Sequence, residues 1–194
     1  MHLTLASVSP RRRELLGKAV AAVSVRPSGI DDGRLRRGDA CAPEAWVMAL
    51  AYLKAAATAR QDAITPGTVV VGADTVCVHD GAILGQPADA ADAERMVRAR
   101  AGREHEVLTG VALVHPGSGR RRVFVDRSRV RVGALSEDQV RSYVAGTGWR
   151  GKAGAYNIAE RLADGWPIEF DGSMDSIMGL PVQRTLHAAR DLAG

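Results

Sequence analysis

Two serines and three arginines lie close together near the start of the chain, in the segment S-V-S-P-R-R-R at residues 7–13. An apolar strand is expected to end here, and Pro10 suits the first turn of a helix. A helix N-terminus offers free N–H groups and a positive dipole end, which favour phosphate. One guanidinium group can donate two parallel hydrogen bonds to the oxygens of a phosphate. The segment therefore predicts a phosphate-binding strand–helix junction.

Helix geometry limits how many of these arginines can share one ligand. Successive helix residues point about 100° apart, so three in a row cannot all meet one phosphate. We expect Arg11 and Arg12, together with Ser7 and Ser9, to bind the ligand, and Arg13 to point outward or to lie at an interface. The alternative is a capped surface helix with solvated arginines.

Carboxylates form the second group of candidates. Asp74 interrupts the apolar run V-V-V-G-A-D-T-V at residues 69–76, and a buried acid must be paired or bound to metal. Because ligand sites gather at the carboxyl ends of strands, Asp74 is expected to hold a cation or activate water; the alternative is a carboxylate bonded to N–H groups at a bulge. Asp31 and Asp32 in an early loop suit Mg²⁺ or Mn²⁺ through oxygen, unless they are a solvated pair.

Two of the three lysines stand in notable places. Lys54 is the only lysine of an alanine-rich helix, where a solvated position is the ordinary alternative. Lys152 lies in the small-residue segment G-K-A-G-A-Y at 151–156, where a ligand could approach the backbone; the alternative is a tight loop under the sheet. The five histidines show no zinc-binding spacing.

The pattern of apolar residues predicts an α/β fold with a mixed, twisted sheet and flanking helices. The alternating and continuous apolar runs predict hairpins as well as strand–helix units. Residues 146–164 are rich in glycine and receive no assignment. Strands are predicted at 3–7, 22–25, 68–78, 82–84, 105–115, 123–132 and 166–170, and helices at 11–20, 43–60, 88–100, 136–145 and 181–192.

Composition narrows the class of protein. The 194 residues, 46% of them hydrophobic and 25% charged, suit a single globular domain over 1–194 or two small lobes sharing a core. No apolar run is long enough for a membrane span, and two cysteines without metal-clip spacing indicate free thiols in the cytoplasm. The net charge of +4 favours anionic ligands, but aromatics make up only 4%. Nucleic acid is therefore an unfavoured partner.

Seven segments together resemble the Maf family of nucleoside triphosphate pyrophosphatases, in the order found in that family and over nearly the whole chain. They are L-A-S-V-S-P-R-R-R-E-L-L (5–16), A-L-A-Y-L-K-A (49–55), V-G-A-D-T-V (71–76), I-L-G-Q-P (83–87), H-E-V-L-T-G-V (105–111), K-A-G-A-Y-N-I (152–158) and M-G-L-P (178–181). The S-P-R-R, A-D-T and K-A-G-A-Y motifs are similar to those of the dTTP/UTP-cleaving branch.

The resemblance implies a Maf/ITPase-like fold of two lobes around a cleft, commonly a homodimer. It implies hydrolysis of a nucleoside triphosphate to the monophosphate and pyrophosphate, with a divalent cation such as Mg²⁺, Mn²⁺ or Co²⁺. The rival hypotheses are a nucleotide-binding regulator of cell division with little catalysis and, less favoured, a nucleic-acid-binding protein.

Residue roles also follow from the resemblance. It makes Asp74 the proton acceptor, and the candidate metal ligands remain the carboxylates Asp32 and Asp74. The residues assigned to the substrate, including base selection by Arg11 and Thr75, are Ser7, Ser9, Arg11, Arg12, Lys54, Thr75, Gln86, Lys152 and Ala159.

Three positions depart from the family pattern. Gln86 stands where a lysine is usual, which removes one positive charge but keeps a hydrogen-bond donor. Ala159 replaces a glutamine linked to base choice, and Glu160 follows it. The early carboxylate pair is Asp31-Asp32, with shorter side chains than the usual pair containing glutamate.

Overall fold

The protein folds into a mixed β-sheet flanked by helices. The structure is a computed structural model, which describes residues 2–62, 64–65 and 67–194. The strands assigned within these residues are β1 (His2–Leu5), β2 (Val23–Val25), β3 (Thr68–His79), β4 (Ala82–Leu84), β5 (Glu104–Val114), β6 (Arg121–Val132) and β7 (Ile168–Asp171). The helices are α1 (Pro10–Ala19), α2 (Pro43–Ala59), α3 (Ala90–Arg100), α4 (Glu137–Ala145), α5 (Ile158–Ala163), α6 (Met174–Ile177) and α7 (Val182–Ala193). The predicted α/β class is confirmed.

The sheet contains both parallel and antiparallel pairs, as predicted. Its strand order is β2-β1-β3-β5-β6-β7, with β4 paired to β3. Strand β1 runs parallel to both β2 and β3, whereas β3–β4 and β6–β7 are antiparallel. The predicted neighbours β5 and β6 lie side by side, joined by the loop 115–120.

The chain divides into two compact units, and it passes between them several times. Unit 1 comprises residues 1–75, 108–126 and 173–194, and unit 2 comprises residues 76–107 and 127–172. The prediction of one domain over 1–194 stays a prediction, as does the cleft. No helix in the described ranges is long and apolar enough to cross a membrane.

The differences from the sequence-based assignment are small. Strand β1 ends at Leu5 rather than at residue 7, and β7 begins at Ile168 rather than at 166. The unassigned segment 146–164 contains the 3₁₀ turn Ala153–Ala155 and the six-residue helix α5. Helix α6 was also missed, because four residues are too few for a periodic pattern to appear.

The core of unit 1 holds the strands that carry the candidate site. Leu3 and Leu5 of β1, Val69 and Val71 of β3 and Leu180 before α7 are fully buried in one cluster. The parallel register sets Leu5 opposite Val71. Consequently the β1–α1 junction lies beside the residues that follow Val71 on β3.

Candidate active site

Helix α2 packs tightly against the sheet in unit 1, and this packing brings Lys54 to β3. A Cβ atom at Gly72 would overlap the carbonyl oxygen of Ala51 and lie 2.7 Å from the amide nitrogen of Ala55. Only a glycine allows this approach. The helical turn from Ala51 to Ala55 therefore contacts β3 and places Lys54 near the end of the strand's apolar run.

Lys54 joins the two carboxylates that the sequence assigned to a metal. Its ammonium donates to Asp74 Oδ1 at 2.6 Å and to Asp32 Oδ2 at 2.5 Å. Asp74 is buried, whereas the Asp32 side chain is 41% exposed. The solvated alternative for Lys54 is therefore wrong, whereas Asp32 is ion-paired and still exposed. Asp31 instead caps the turn Asp32–Arg34 by accepting from the amide of Gly33.

Arg12 is the arginine that turns into unit 1. Its Nε donates to the carbonyl of Gly179 at 2.8 Å, and its Nη2 donates to Thr75 Oγ1 at 3.1 Å. Arg11 and Arg13 are exposed. Arg13 therefore points outward as predicted, and ligand binding by Arg11 stays a prediction.

The contacts of Arg12 continue into a closed circuit of hydrogen bonds. Thr75 Oγ1 lies 3.0 Å from Thr109 Oγ1, and Thr109 donates to the carbonyl of Ser176 at 2.7 Å. The amide of Gly179 donates to that same carbonyl at 2.9 Å. We call these five residues, Arg12, Thr75, Thr109, Ser176 and Gly179, the arginine ring.

Gly179 is required at its place in the arginine ring. Its φ of +113° is a conformation that side chains rarely adopt, and a Cβ there would lie 3.1 Å from Arg12 Nε. Thr109 and Gly179 fall within quoted motifs, but the sequence analysis assigned them no role. A fully buried threonine in an apolar strand was the available signal for Thr109.

The charges of the site shift one another's protonation. Burial raises the pKa of Asp74, and the nearby cations Lys54 and Arg12 oppose that rise. Burial lowers the pKa of Arg12, and Asp74 opposes that fall. A desolvated carboxylate held between two cations can accept a proton from water when the cations are drawn to an anionic ligand.

The carboxylate pair also fits a divalent cation. Both carboxylates reach one ammonium, so they are close enough to share one cation. Magnesium commonly takes one or two protein carboxylates and completes its coordination with phosphate and water. The described residues contain no cluster of three or more His, Cys, Asp or Glu suited to a metal, which is compatible with such an open site.

The two predicted serines shape the start of α1. Ser9 caps the helix by accepting from the amide of Arg12, and the buried Ser7 accepts from the amide of Ser9. A surface groove of about 430 Å³ in unit 1 is lined by both serines and by Arg13 and Lys18. Helix α1 therefore begins as predicted, with Ser9 as its cap and arginines in its first turn.

The other predicted substrate residues belong to unit 2. Gln86 is exposed, and Ala159 is half-buried in α5. Lys152 forms an ion pair with Glu160. The amide of Gly154 donates to the carbonyl of Gly85 at 2.9 Å, so the loops that carry Gln86 and Lys152 meet. Substrate contact by these three residues stays a prediction.

Comparison with known proteins agrees with the motifs. Residues 2–192 match the family model described as Maf-like protein. The chain is 38% identical to a dTTP/UTP pyrophosphatase of Salinibacter ruber, over 97% of this chain and 89% of that protein. It is 41% identical to a dTTP/UTP pyrophosphatase of Anaeromyxobacter dehalogenans, over 95% of this chain and 90% of that protein. A third, from Koribacter versatilis, is 37% identical over 98% of this chain and 94% of its own length. The chain therefore belongs to the Maf family.

Proposed function

We propose that the chain hydrolyses a nucleoside triphosphate to the monophosphate and pyrophosphate, with dTTP and UTP as the first substrates to test. The names of the relatives support this reaction. The observation that carries the proposal is the buried Asp74 beside the cations Lys54 and Arg12. A basic carboxylate among cations is what hydrolysis of a polyanion needs.

Asp74 accepts the proton of the attacking water in this proposal. The oxygen of the water bonds to the α-phosphorus, the bond from that phosphorus to the bridging oxygen breaks, and pyrophosphate leaves. Lys54 holds Oδ1 of Asp74, so Oδ2 is left for the water. Because burial raises the pKa of Asp74, its carboxylate is a stronger base than an exposed one.

Arg12 binds and orients the phosphates. A guanidinium has five N–H donors, and the arginine ring uses two of them. The remaining donors keep a fixed direction because the other two are held. A pre-oriented cation of this kind stabilises the charge that develops on the phosphate oxygens.

A divalent cation would be held by Asp32 and Asp74. When bound it would polarise the phosphate oxygens and neutralise part of their charge. Mg²⁺, Mn²⁺ and Co²⁺ are the candidates. Chelation by EDTA should abolish hydrolysis, and adding the metal back should restore it.

Two further properties belong to the proposal. The free thiols of Cys41 and Cys77 support a cytoplasmic location. A homodimer is proposed from the family resemblance, and light scattering coupled to size-exclusion chromatography tests it.

The deciding experiment is a pyrophosphate-release assay over a nucleotide panel. The purified chain is given dTTP, UTP, CTP, ATP, GTP and modified triphosphates with each candidate metal. We expect one pyrophosphate and one monophosphate per triphosphate, with dTTP or UTP preferred. Release of inorganic phosphate alone, or no product from any nucleotide, contradicts the proposal.

A nucleotide-binding regulator with little catalysis is the second candidate. The ion pair between Lys152 and Glu160 favours it, because the lysine charge is already balanced. Gln86 in the adjoining loop adds no charge. For such a regulator we expect tight binding of a triphosphate in calorimetry and no pyrophosphate release from any nucleotide of the panel.

A further inference from the structure

The hydrogen bonds of the arginine ring have only one possible direction. A threonine hydroxyl has a single proton to donate. The carbonyl of Ser176 can only accept, so Thr109 spends its proton there, at 2.7 Å. Thr109 must then accept the proton of Thr75, across 3.0 Å.

The direction continues to the guanidinium. Because Thr75 donates to Thr109, its Oγ1 is free to accept from Arg12 Nη2 at 3.1 Å. The other end closes through the backbone of Gly179, which accepts from Arg12 Nε and donates to the Ser176 carbonyl. Every donor in the circuit has one acceptor, and reversing any one bond would set two donors or two acceptors against each other.

Thr109 is the member of the circuit that sets this direction, because its proton goes to the Ser176 carbonyl. Its side chain is fully buried, whereas Thr75 and Arg12 are half-buried. Thr109 lies on β5, Thr75 on β3 and Ser176 in α6. A single hydroxyl therefore sets the orientation of two side chains that solvent can reach.

We propose that Thr109 is a positioning residue, which holds Thr75 and Arg12 in the orientation that binds the triphosphate. The inference rests on the proposed function for the identity of the ligand. Without the Thr109 hydroxyl, the Thr75 proton loses its acceptor and the hydroxyl can turn toward Arg12, where it opposes the guanidinium donor. The Ser176 carbonyl keeps the Gly179 amide, so the main loss falls on Thr75 and Arg12.

The first test measures UTP and dTTP binding by calorimetry in EDTA, where the absence of metal prevents turnover. Thr109→Val removes the hydroxyl at nearly constant volume, and Thr109→Ser restores it. Thr185→Val is the matched control, because Thr185 is also fully buried in unit 1 and donates to a carbonyl, that of Pro181, at 2.8 Å. We expect about tenfold weaker binding in Thr109→Val, the scale of one lost hydrogen bond, and parent-like binding in the other two.

The second test does not depend on any nucleotide. Side-chain NMR follows the Nε–H proton of Arg12, whose exchange with water should accelerate in Thr109→Val and stay slow in Thr109→Ser and Thr185→Val. In a Thr75→Val background, Thr109→Val should add no further loss of affinity, because the circuit is already open. If the valine variant does not fold, Thr109→Ala is measured in its place.

The outcomes separate the two proposals. An unchanged Arg12 signal, or equal triphosphate affinity in Thr109→Val and the parent, overturns the role of Thr109. Equal losses in Thr109→Val and Thr185→Val also overturn it, because they would show a general packing effect. If both tests give the results expected for Thr109 but the parent releases no pyrophosphate, the proposed function alone is overturned.

Discussion

Each compact unit holds an arginine that donates to a backbone carbonyl far away in the chain, and the two differ in what surrounds the guanidinium. Arg12 in unit 1 donates two side-chain hydrogen bonds within the arginine ring, and the carboxylates of Asp74 and Asp32 attract its charge. Arg100 in unit 2 donates to the carbonyl of Gly154 and lies 6.0 Å from the centre of the Tyr156 ring. Its Nε is buried without a partner among the described residues.

The comparison separates the arginine that we propose to bind phosphate from an arginine that packs within its unit. Burial lowers the pKa of both. Carboxylates offset that fall for Arg12, whereas the groups that offset it for Arg100 are Cys77 and Tyr156, which are neutral at pH 7. A cation held near acids and half open to solvent can exchange its partners for phosphate. A cation enclosed by a carbonyl and a ring has no such exchange available.

The largest expected effect tests whether unit 1 carries the chemistry. Asp74→Asn removes the proposed proton acceptor at constant size. We expect the rate of pyrophosphate release to fall by at least ~100-fold, the low end for a general base, with the unfolding midpoint kept or raised. Asp126→Asn is the control, because Asp126 pairs with Arg184 elsewhere in unit 1. Parent-like hydrolysis by Asp74→Asn would remove Asp74 from the mechanism.

Matched lysine substitutions test the comparison of the arginines directly. Arg12→Lys keeps the charge but loses the planar donors that meet Gly179 and Thr75 together. We expect kcat/KM to fall by about 10- to 100-fold, as for charge-assisted hydrogen bonds. Arg100→Lys should lower the free energy of unfolding by about 1–3 kcal/mol with little change in kcat/KM. The reverse pattern would exchange the two roles.

The third prediction concerns pH and unit 2. His105 is buried near Arg100, and burial with that cation and His79 lowers its pKa from 6.5 to about 3. Its Nε2 lies 2.9 Å from the Tyr156 hydroxyl, and its Nδ1 has no partner among the described residues. The unfolded chain therefore binds the proton more strongly, and the stability that neutral His105 contributes at pH 7 falls as pH decreases from about 6.5 toward 3.

Urea denaturation measures this pH effect. Between pH 7.5 and pH 5 we expect the parent to lose about 2 kcal/mol more stability than His105→Leu, from 1.36 kcal/mol per pH unit below the unfolded pKa. His115→Leu is the control for removing a histidine elsewhere, because His115 bonds to the Ser118 hydroxyl and not to the groups around Arg100. Parallel pH profiles for the parent and His105→Leu would show that the Arg100 surroundings do not hold His105 neutral.

The smallest expected effect tests whether Gln86 of unit 2 takes part in binding. Gln86→Lys restores the positive charge that the family pattern places in the exposed loop before α3. We expect the KM for the triphosphate to fall a few-fold, the scale of one exposed charge interaction, and the gain to shrink at high salt. An unchanged or higher KM at low salt would show that Gln86 does not face the phosphates.

The sequence alone determined the class of fold and named the candidate residues of the site. Periodic apolar runs located the long strands and helices, because burial of one face leaves a repeating pattern that a single sequence displays. The turn at Ala153–Ala155 and helix α6 were missed because three or four residues make only about one helical turn, in which no repeat of apolar positions can appear. The motifs named the acids and cations, since those residue types suit phosphate and metal wherever they are placed.

Tertiary structure alone decided which of those groups meet. Helix periodicity sets the angle between Arg11 and Arg12 but not which of them faces β3; that follows from the register of β1 with β3. Lys54 reaches both Asp32 and Asp74 only because α2 rests on Gly72. Thr109 and Gly179 enter the arginine ring through contacts between segments far apart in the chain. Such contacts depend on the packing of whole elements, and no local pattern of residues encodes them.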